Sequence, residues 1–355
     1  MPNTPASAPH NRQPLRVGTR DSKLALVQTE LVIAQIKQAH PGLAIETLTM
    51  KTIGDKIQDV AMTKFGDKGL FTKELETALA AQHIDIIVHS LKDMPTQLPA
   101  NMRLLAITQR EDPRDAVVMH VTHQGKSISE LPPGSIIGTG SVRRVAQLRR
   151  LYPWLEFRDV RGNLTTRLAK LDAAESPFAA LILAVAGLRR QGLGHRIAHA
   201  LDDVLHAVGQ GALGVEVRSD DSQTIELLAD CLNHRESRLR CLAERELMRR
   251  LEGGCSVPIG VTTEWLGERR VLRLCAVVAA PDGSAEVRAE GELAVVEESD
   301  AEELRLELED ARAHTLGANV AAAMRAKGAG AILDAIQRPE PIAPEIIAAA
   351  SARSE

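Results

Sequence analysis

Two segments of the chain place arginines where a predicted strand is followed by a predicted helix. They are Gly138-Thr-Gly-Ser-Val-Arg-Arg144 and Arg161-Gly-Asn-Leu-Thr-Thr-Arg167. The free N–H groups and the positive end of a helix attract anions, and a guanidinium binds a carboxylate through two parallel hydrogen bonds. Recurrence at two successive turns favours carboxylate sites over ordinary surface arginines. Gly18-Thr-Arg-Asp-Ser22 is a third, weaker instance.

A lysine and an aspartate follow the most apolar predicted strand. Residues 84–89 form a nearly continuous apolar run, which is typical of a strand buried on both faces of a parallel sheet. Lys92 and Asp93 come after its carboxyl end, where open α/β sheets bind their ligands. Asp93 is therefore a candidate general base or a group that stabilises a cation. A structural ion pair between the two residues is the alternative.

One of the four cysteines differs from the others in its surroundings. Cys255 follows two glycines and precedes Ser256, which predicts an exposed turn and makes it a candidate nucleophile or covalent attachment site. Cys231, Cys241 and Cys275 fall on helix or strand faces and fit ordinary packing. The chain has no C-x-x-C motif and no histidines at ligand spacing, so we expect no metal site.

The composition narrows the class of protein. A length of 355 residues with 44% hydrophobic residues predicts two or three globular domains. Seven aromatic residues and a net charge of −4 argue against a nucleic-acid partner. No apolar run reaches the length of a membrane span, and the polar residues 1–13 lack the features of a secretory signal. Four cysteines in so long a chain indicate a reducing cytoplasm.

The pattern of predicted elements changes along the chain. Up to about residue 232, strands and helices alternate, which predicts α/β domains with helices on both sheet faces. The last third predicts a small α+β domain with three strands and a closing helix. Residues 51–68 are polar and contain Gly54 and Gly66, so we expect a mobile cover over the cleft, with an ordinary solvated loop as the alternative.

Taken together, the motifs identify a family. The chain contains His89-Ser-Leu-Lys-Asp-Met-Pro95, Gly209-Gln-Gly-Ala-Leu-Gly214 and Leu251-Glu-Gly-Gly-Cys255, in addition to Lys64-Phe-Gly-Asp-Lys68 and the arginine turns. In this order, from about residue 15 to about residue 337, they resemble the porphobilinogen deaminases, also called hydroxymethylbilane synthases. The resemblance implies a transferase of tetrapyrrole and heme biosynthesis. It condenses four porphobilinogen molecules head to tail with loss of ammonia, and hydrolysis releases hydroxymethylbilane.

The resemblance also implies roles for particular residues. A dipyrromethane cofactor is joined by a thioether to the position of Cys255, and the catalytic aspartate maps to Asp93. The implied cofactor binders are Ser22, Lys92, Ser141, Arg143, Arg144 and Gln210. The implied substrate binders are Arg20, Ser90, Arg161, Arg167 and Arg190, and the implied lid residues are Lys64 and Lys68.

The family fold sets the expected architecture. It has two α/β domains that resemble periplasmic binding proteins, with two crossovers, and a small α+β domain that carries the cysteine. We expect a leader at 1–13, a first domain at 14–112 with 212–232, a second domain at 113–211, a third domain at 233–337 and a tail at 338–355. We expect a cytoplasmic monomer that binds neither nucleic acid nor membranes.

The sequence is also consistent with a second function. A non-enzymatic, two-lobed protein that binds a small carboxylate would also have two α/β domains and a basic cleft. Such a protein would not need a cysteine in an exposed glycine turn, as at Cys255, or an aspartate in a cleft that binds carboxylates, as at Asp93. The chain departs from the family pattern at Gly140, where a serine is usual, and at His206, where a proline is usual.

Overall fold

Three separate sheets organise the chain. The computed structural model describes residues 13–52, 72–251, 257–268, 270–294 and 302–337. Within these ranges the strands are β1 Leu15–Arg20, β2 Ile45–Met50, β3 Ile86–Ser90, β4 Met102–Ile107, β5 Asp115–Met119, β6 Ile136–Gly138, β7 Glu156–Arg158, β8 Phe178–Ala184, β9 His199–Leu201, β10 Leu213–Arg218, β11 Ile259–Leu266, β12 Val271–Ala279 and β13 Glu286–Ala294.

The first two sheets have matching strand orders. The first runs β2-β1-β3-β10-β4 and the second runs β7-β6-β8-β5-β9. In each, one strand is antiparallel to both of its neighbours: β10 in the first sheet and β5 in the second. The chain leaves the first sheet after β4, builds the second sheet, and returns through β10. This topology, with two crossovers and a third small sheet, confirms the predicted fold class.

The two crossovers lie side by side. The backbone N–H of Glu111 donates to the carbonyl oxygen of Gly211 at 3.1 Å. Gly211 has a φ of +89°, and a Cβ at this position would collide with the carbonyl of Glu111. A glycine is therefore required where the two connecting segments touch.

Helices cover the sheets. Those described are α1 Lys23–Ala39, α2 Lys73–Ala80, α3 Val142–Leu151, α4 Leu164–Asp172, α5 Val185–Arg190, α6 Ser222–Leu232, α7 Arg235–Arg250, α8 Glu302–Ala326 and α9 Ala329–Gln337. Strand β3 explains why both faces of the first sheet are covered, because Ile86 and Val88 enter one apolar cluster while Ile87 enters another. In the described part of the chain, no helix is both long and apolar enough to span a membrane.

Helix α7 packs between the first and third sheets. Its sequence is strongly charged, yet Glu244, Arg245 and Glu246 are buried. Leu242 and Leu247 enter the core of the third sheet, which also contains Leu316 and Val320 of α8. Cys241, one residue before Leu242, enters a cluster with Leu91 and Met94 of the first domain. The helix is therefore covered on several sides, and its charged groups must find partners inside the protein.

Candidate functional site

The residues after β3 form a short, firmly held turn. A 3-10 turn over Leu91–Asp93 follows Ser90, with Leu91 and Met94 buried and Asp93 half-buried. The Leu91 N–H donates to the Ala212 carbonyl at 3.0 Å, which ties the turn to the returning crossover. Hydrophobic anchors on both sides of Asp93 thus fix where its carboxylate lies.

Arg245 of α7 holds the same turn from the third domain. Its Nη1 donates to the carbonyl oxygen of Met94 at 3.1 Å, and its Nη2 donates to that of Pro95 at 2.6 Å. On the other side, Ser90 Oγ donates to Gln28 Oε1 of α1 at 2.9 Å. The turn that presents Asp93 is therefore bound by side chains from two other elements.

A buried carboxylate joins three predicted site residues in the second domain. Asp115 Oδ2 accepts from Arg143 Nη1 at 2.7 Å, and Asp115 Oδ1 accepts from Arg144 Nη2 at 2.7 Å. Gln210 Nε2 also donates to Asp115 Oδ1, at 2.8 Å. Asp115 is fully buried, and the other three are at most 6% exposed. The sequence did not single out Asp115, because an aspartate at the first position of a strand carries no distinctive pattern.

The charged groups of this cluster shift one another's pKa values. Burial alone would raise the pKa of Asp115, but Arg143 and Arg144 hold it well below its usual range. Burial lowers the pKa of Arg143, and Asp115 opposes that effect. Two guanidiniums and one carboxylate leave a net positive charge in the cluster, which suits an anionic ligand.

Two further cations connect this cluster with Asp93. Burial lowers the pKa of Lys92; Asp93 raises it and Arg144 lowers it. Burial likewise lowers the pKa of Arg167, with Arg144 adding to the effect and Asp93 opposing it. The charges of Asp93 and Arg144 therefore both act on Lys92 and on Arg167.

Serine and asparagine side chains cap the N-termini of the helices at this site. Ser22 Oγ accepts from the Ala25 N–H at 3.3 Å, Ser141 Oγ accepts from the Arg144 N–H at 3.5 Å, and Asn163 Oδ1 accepts from the Thr166 N–H at 2.8 Å. A hydroxyl that accepts at an N-cap still has its own proton to donate. Ser22 and Ser141 can therefore cap their helices and bind a ligand carboxylate.

The remaining predicted arginines lie around these turns. Arg20 ends β1, and Arg161 Nε donates to Asp159 Oδ2. Arg167 Nε donates to the Gly162 carbonyl and Arg190 Nη2 to the Gly211 carbonyl, both at 2.7 Å.

The structure gives a reason for glycine at position 140. A Cβ there would lie 2.8 Å from Asp159 Oδ1. The usual serine would therefore require the Asp159 side chain to move, and Asp159 is the partner of Arg161.

His206, the second departure, lies at the second crossover. It is 3% exposed, and its carbonyl accepts from the Val261 N–H of β11 at 2.8 Å. Burial and the nearby charge of Arg110 lower its pKa to about 4, while Glu244 opposes the shift. The ring is therefore neutral at physiological pH. Arg110 and Glu244 themselves form a buried ion pair at 2.6 Å.

Comparison with known proteins shows the family of this chain. A family model described as "Porphobilinogen deaminase, dipyromethane cofactor binding domain" matches residues 15–226, and one described as "Porphobilinogen deaminase, C-terminal domain" matches residues 238–326. The chain belongs to the porphobilinogen deaminase family. It is 50% identical to the porphobilinogen deaminase of Synechococcus sp. (strain RCC307) over 331 residues, which cover 92% of this chain and 98% of that relative.

Further similarities are of two kinds. The porphobilinogen deaminase of Nostoc sp. (strain PCC 7120) is 55% identical over 274 residues, 77% of this chain and 83% of that relative. Among solved structures, a probable amino-acid ABC transporter extracellular-binding protein from Bacillus subtilis is similar with a TM-score of 0.38 and 13% identity. That match covers 62% of this chain and 90% of that chain.

Family membership confirms the predicted activity and cofactor. The enzyme is a transferase that assembles a linear tetrapyrrole from porphobilinogen, and its cofactor is dipyrromethane. The alternative of a non-enzymatic carboxylate-binding protein is not favoured. Cys255 and the lid candidates Lys64 and Lys68 lie outside the described residues, so their roles stay predictions, as does the cover at 51–68.

Proposed function

We propose that Asp93 is the catalytic residue and that the surrounding cations bind carboxylates of cofactor and substrate. Loss of ammonia leaves a cationic pyrrole on the substrate, and a fixed carboxylate beside it lowers the barrier electrostatically. The observation that supports this assignment is the position of Asp93 in a turn after the carboxyl end of β3, which the Ala212 carbonyl and the Arg245 guanidinium hold in place. We propose that the substrate binds beside this turn.

The side chains around Asp93 fit a dipyrromethane. Each pyrrole carries an acetate and a propionate, and the site offers ammonium, guanidinium and hydroxyl donors. When bound, the cofactor supplies the pyrrole carbon to which the first substrate is added. We assign its carboxylates to Ser22, Lys92, Ser141, Arg143, Arg144 and Gln210, and those of the substrate and growing chain to Arg20, Ser90, Arg161, Arg167 and Arg190.

Cys255 is the proposed tether, and the other thiols support this choice. A thiolate is the reactive form of cysteine, so a raised pKa makes a poor nucleophile. Burial raises the pKa of Cys241 to about 11, and burial together with Glu290 raises that of Cys275 to about 11. Burial also raises the pKa of Cys231.

Intact-mass measurement of the purified enzyme tests the tether. The wild-type chain should carry a covalent excess of two pyrrole units, and Cys255→Ala should carry none and have no activity. Cys231→Ala and Cys275→Ala are matched controls that should keep both. An adduct on Cys255→Ala would exclude this cysteine as the attachment site.

We further propose that the enzyme is a cytoplasmic monomer with neither a nucleic-acid nor a membrane partner. The proposed domain boundaries are 14–112 with 212–232, 113–211 and 233–337, between a leader at 1–13 and a tail at 338–355. Light scattering coupled to size exclusion would test the monomer, with a mass near 38.4 kDa expected for the chain.

A further inference from the structure

A turn of the third domain contacts the last turn of α3. Residues 280–285, which we name the docking turn, connect β12 to β13. Arg149 Nη1 donates to the Pro281 carbonyl at 2.9 Å, and Arg150 Nη1 donates to the Gly283 carbonyl at 2.8 Å. Arg150 Nε also lies 3.1 Å from Glu286 Oε2. The last turn of α3 therefore binds the docking turn through two adjacent guanidiniums.

The docking turn is itself well ordered by internal hydrogen bonds. The Gly283 N–H donates to the Ala280 carbonyl at 2.8 Å, and Asp282 Oδ1 accepts from the N–H and the hydroxyl of Ser284 at 2.9 and 2.7 Å. Gly283 has a φ of +80°, and a Cβ on it would lie 3.0 Å from the Cβ of Arg149. The turn and the helix thus approach so closely that a side chain at 283 would force them apart.

The third domain also contacts the middle of α3. Gln147 is buried and, within the second domain, exchanges two hydrogen bonds with the backbone of Leu205, at 3.0 and 2.8 Å. A Cβ on Gly260 of β11 would lie 2.7 Å from Gln147 Nε2. Helix α3 is therefore held along one side by two elements of the third domain.

The opposite end of α3 carries the carboxylate binders. Ser141 caps the helix, and Arg143 and Arg144 bind Asp115 in its first turn. Ten residues of α-helix span about 15 Å and move as a rigid rod. A shift of the docked end must therefore also move the guanidiniums of the first turn.

We propose that the docking turn positions α3 and thereby sets where the carboxylate-binding end of the helix lies. Arg149 and Arg150 are then positioning residues, because they act through Arg143 and Arg144. This inference rests on the proposed role of those two arginines as carboxylate binders. It predicts that loosening the contact slows elongation without removing a single ligand-binding group.

The double variant Arg149→Ala/Arg150→Ala of the holoenzyme tests the proposal. Arg196→Ala is the matched control, since Arg196 binds Asp172 at 2.8 Å within the second domain alone. We expect the double variant to retain the two-unit adduct by intact mass, to exchange the amide hydrogens of α3 faster, and to lose roughly 10–100-fold in kcat, as expected for a misplacement of about 1 Å. Under limited substrate, partly elongated adducts should accumulate.

Gly283→Ala is the second variant and leaves both arginines in place. Like the double variant, it should speed the exchange of the amide hydrogens of α3 and lower kcat. It therefore tests the proposal even if the double variant fails to fold. Faster exchange in α3 with a kcat equal to that of Arg196→Ala would overturn the proposal, as would unchanged exchange in both variants. Arg143→Leu distinguishes the underlying assumption: normal elongation in that variant would refute the carboxylate-binding role itself, whatever the docking turn does.

Discussion

Replacing Asp115 with asparagine tests whether the buried cluster is held together by charge. Asp115 has no solvent exposure and receives donors from Arg143, Arg144 and Gln210. Asparagine has nearly the same shape, but it is neutral, and its amide nitrogen donates where an oxygen had accepted. The variant therefore leaves two neighbouring guanidiniums in a buried place without their counterion.

The expected cost follows from this arrangement. Breaking a buried ion pair by removing one partner costs about 3–5 kcal/mol, since the remaining charge is uncompensated. Here one carboxylate serves two arginines, so we expect the upper part of that range for Asp115→Asn. Domain stabilities of about 5–15 kcal/mol mean that such a loss brings the second domain close to unfolding.

Urea denaturation of the wild-type and variant enzymes measures this loss. Asp172→Asn is the control, because Asp172 pairs with Arg196 at the surface, where an ion pair contributes about 0–1 kcal/mol. A midpoint for Asp115→Asn no lower than that for Asp172→Asn would refute the reasoning, since it would mean that solvent or another group already compensates the arginines.

Three further changes test other parts of the structure. Asp93→Asn should fold normally and lose on the order of 10²–10³ in kcat, because it removes one electrostatic partner of the transition state. Arg245→Met removes the donors to the Met94 and Pro95 carbonyls, so kcat should fall while KM changes little. His206→Gln should flatten the dependence of stability on pH below pH 6.5, measured as the urea midpoint at several pH values.

The sign of the His206 effect follows from its lowered pKa. A histidine with a pKa of about 4 in the fold and about 6.5 when unfolded binds its proton mainly in the unfolded state. The associated stability is fully present well above pH 6.5 and is lost as the pH falls toward 4; by pH 5 the loss is about 2 kcal/mol. If the urea midpoint of His206→Gln depends on pH as steeply as that of the wild type, other groups cause the acid sensitivity.

For Asp93→Asn and Arg245→Met, a kcat equal to that of the wild type would contradict the predictions.

Much of the fold follows from hydrophobic patterns. The apolar run at 84–89 predicts β3 within two residues at its start and one at its end. Strand β9 was not predicted, because His199–Leu201 has only three residues and no periodicity that marks it. Short edge strands are fixed by their neighbours, here β5, and not by their own sequence.

The partners of the site residues could not be read from the sequence. The arginines at 143 and 144 were identified by motif, but their carboxylate, Asp115, lies 28 and 29 positions earlier. Helix α7 is strongly charged, and nothing in its sequence indicates that Glu244 is buried against Arg110. Such pairings depend on how whole domains pack, and charge patterns within one helix contain no information about that.

The buried carboxylate also explains how two adjacent arginines can serve both folding and binding. Without Asp115, Arg143 and Arg144 would repel each other in a place shielded from solvent. With it, the cluster is stable before any ligand arrives and still keeps a net positive charge. Removing either arginine leaves Asp115 paired with the other and with Gln210, whereas removing Asp115 leaves both arginines without a counterion. We therefore expect the stability of the cluster to depend most on the acid, and the proposed carboxylate binding to depend most on the two arginines.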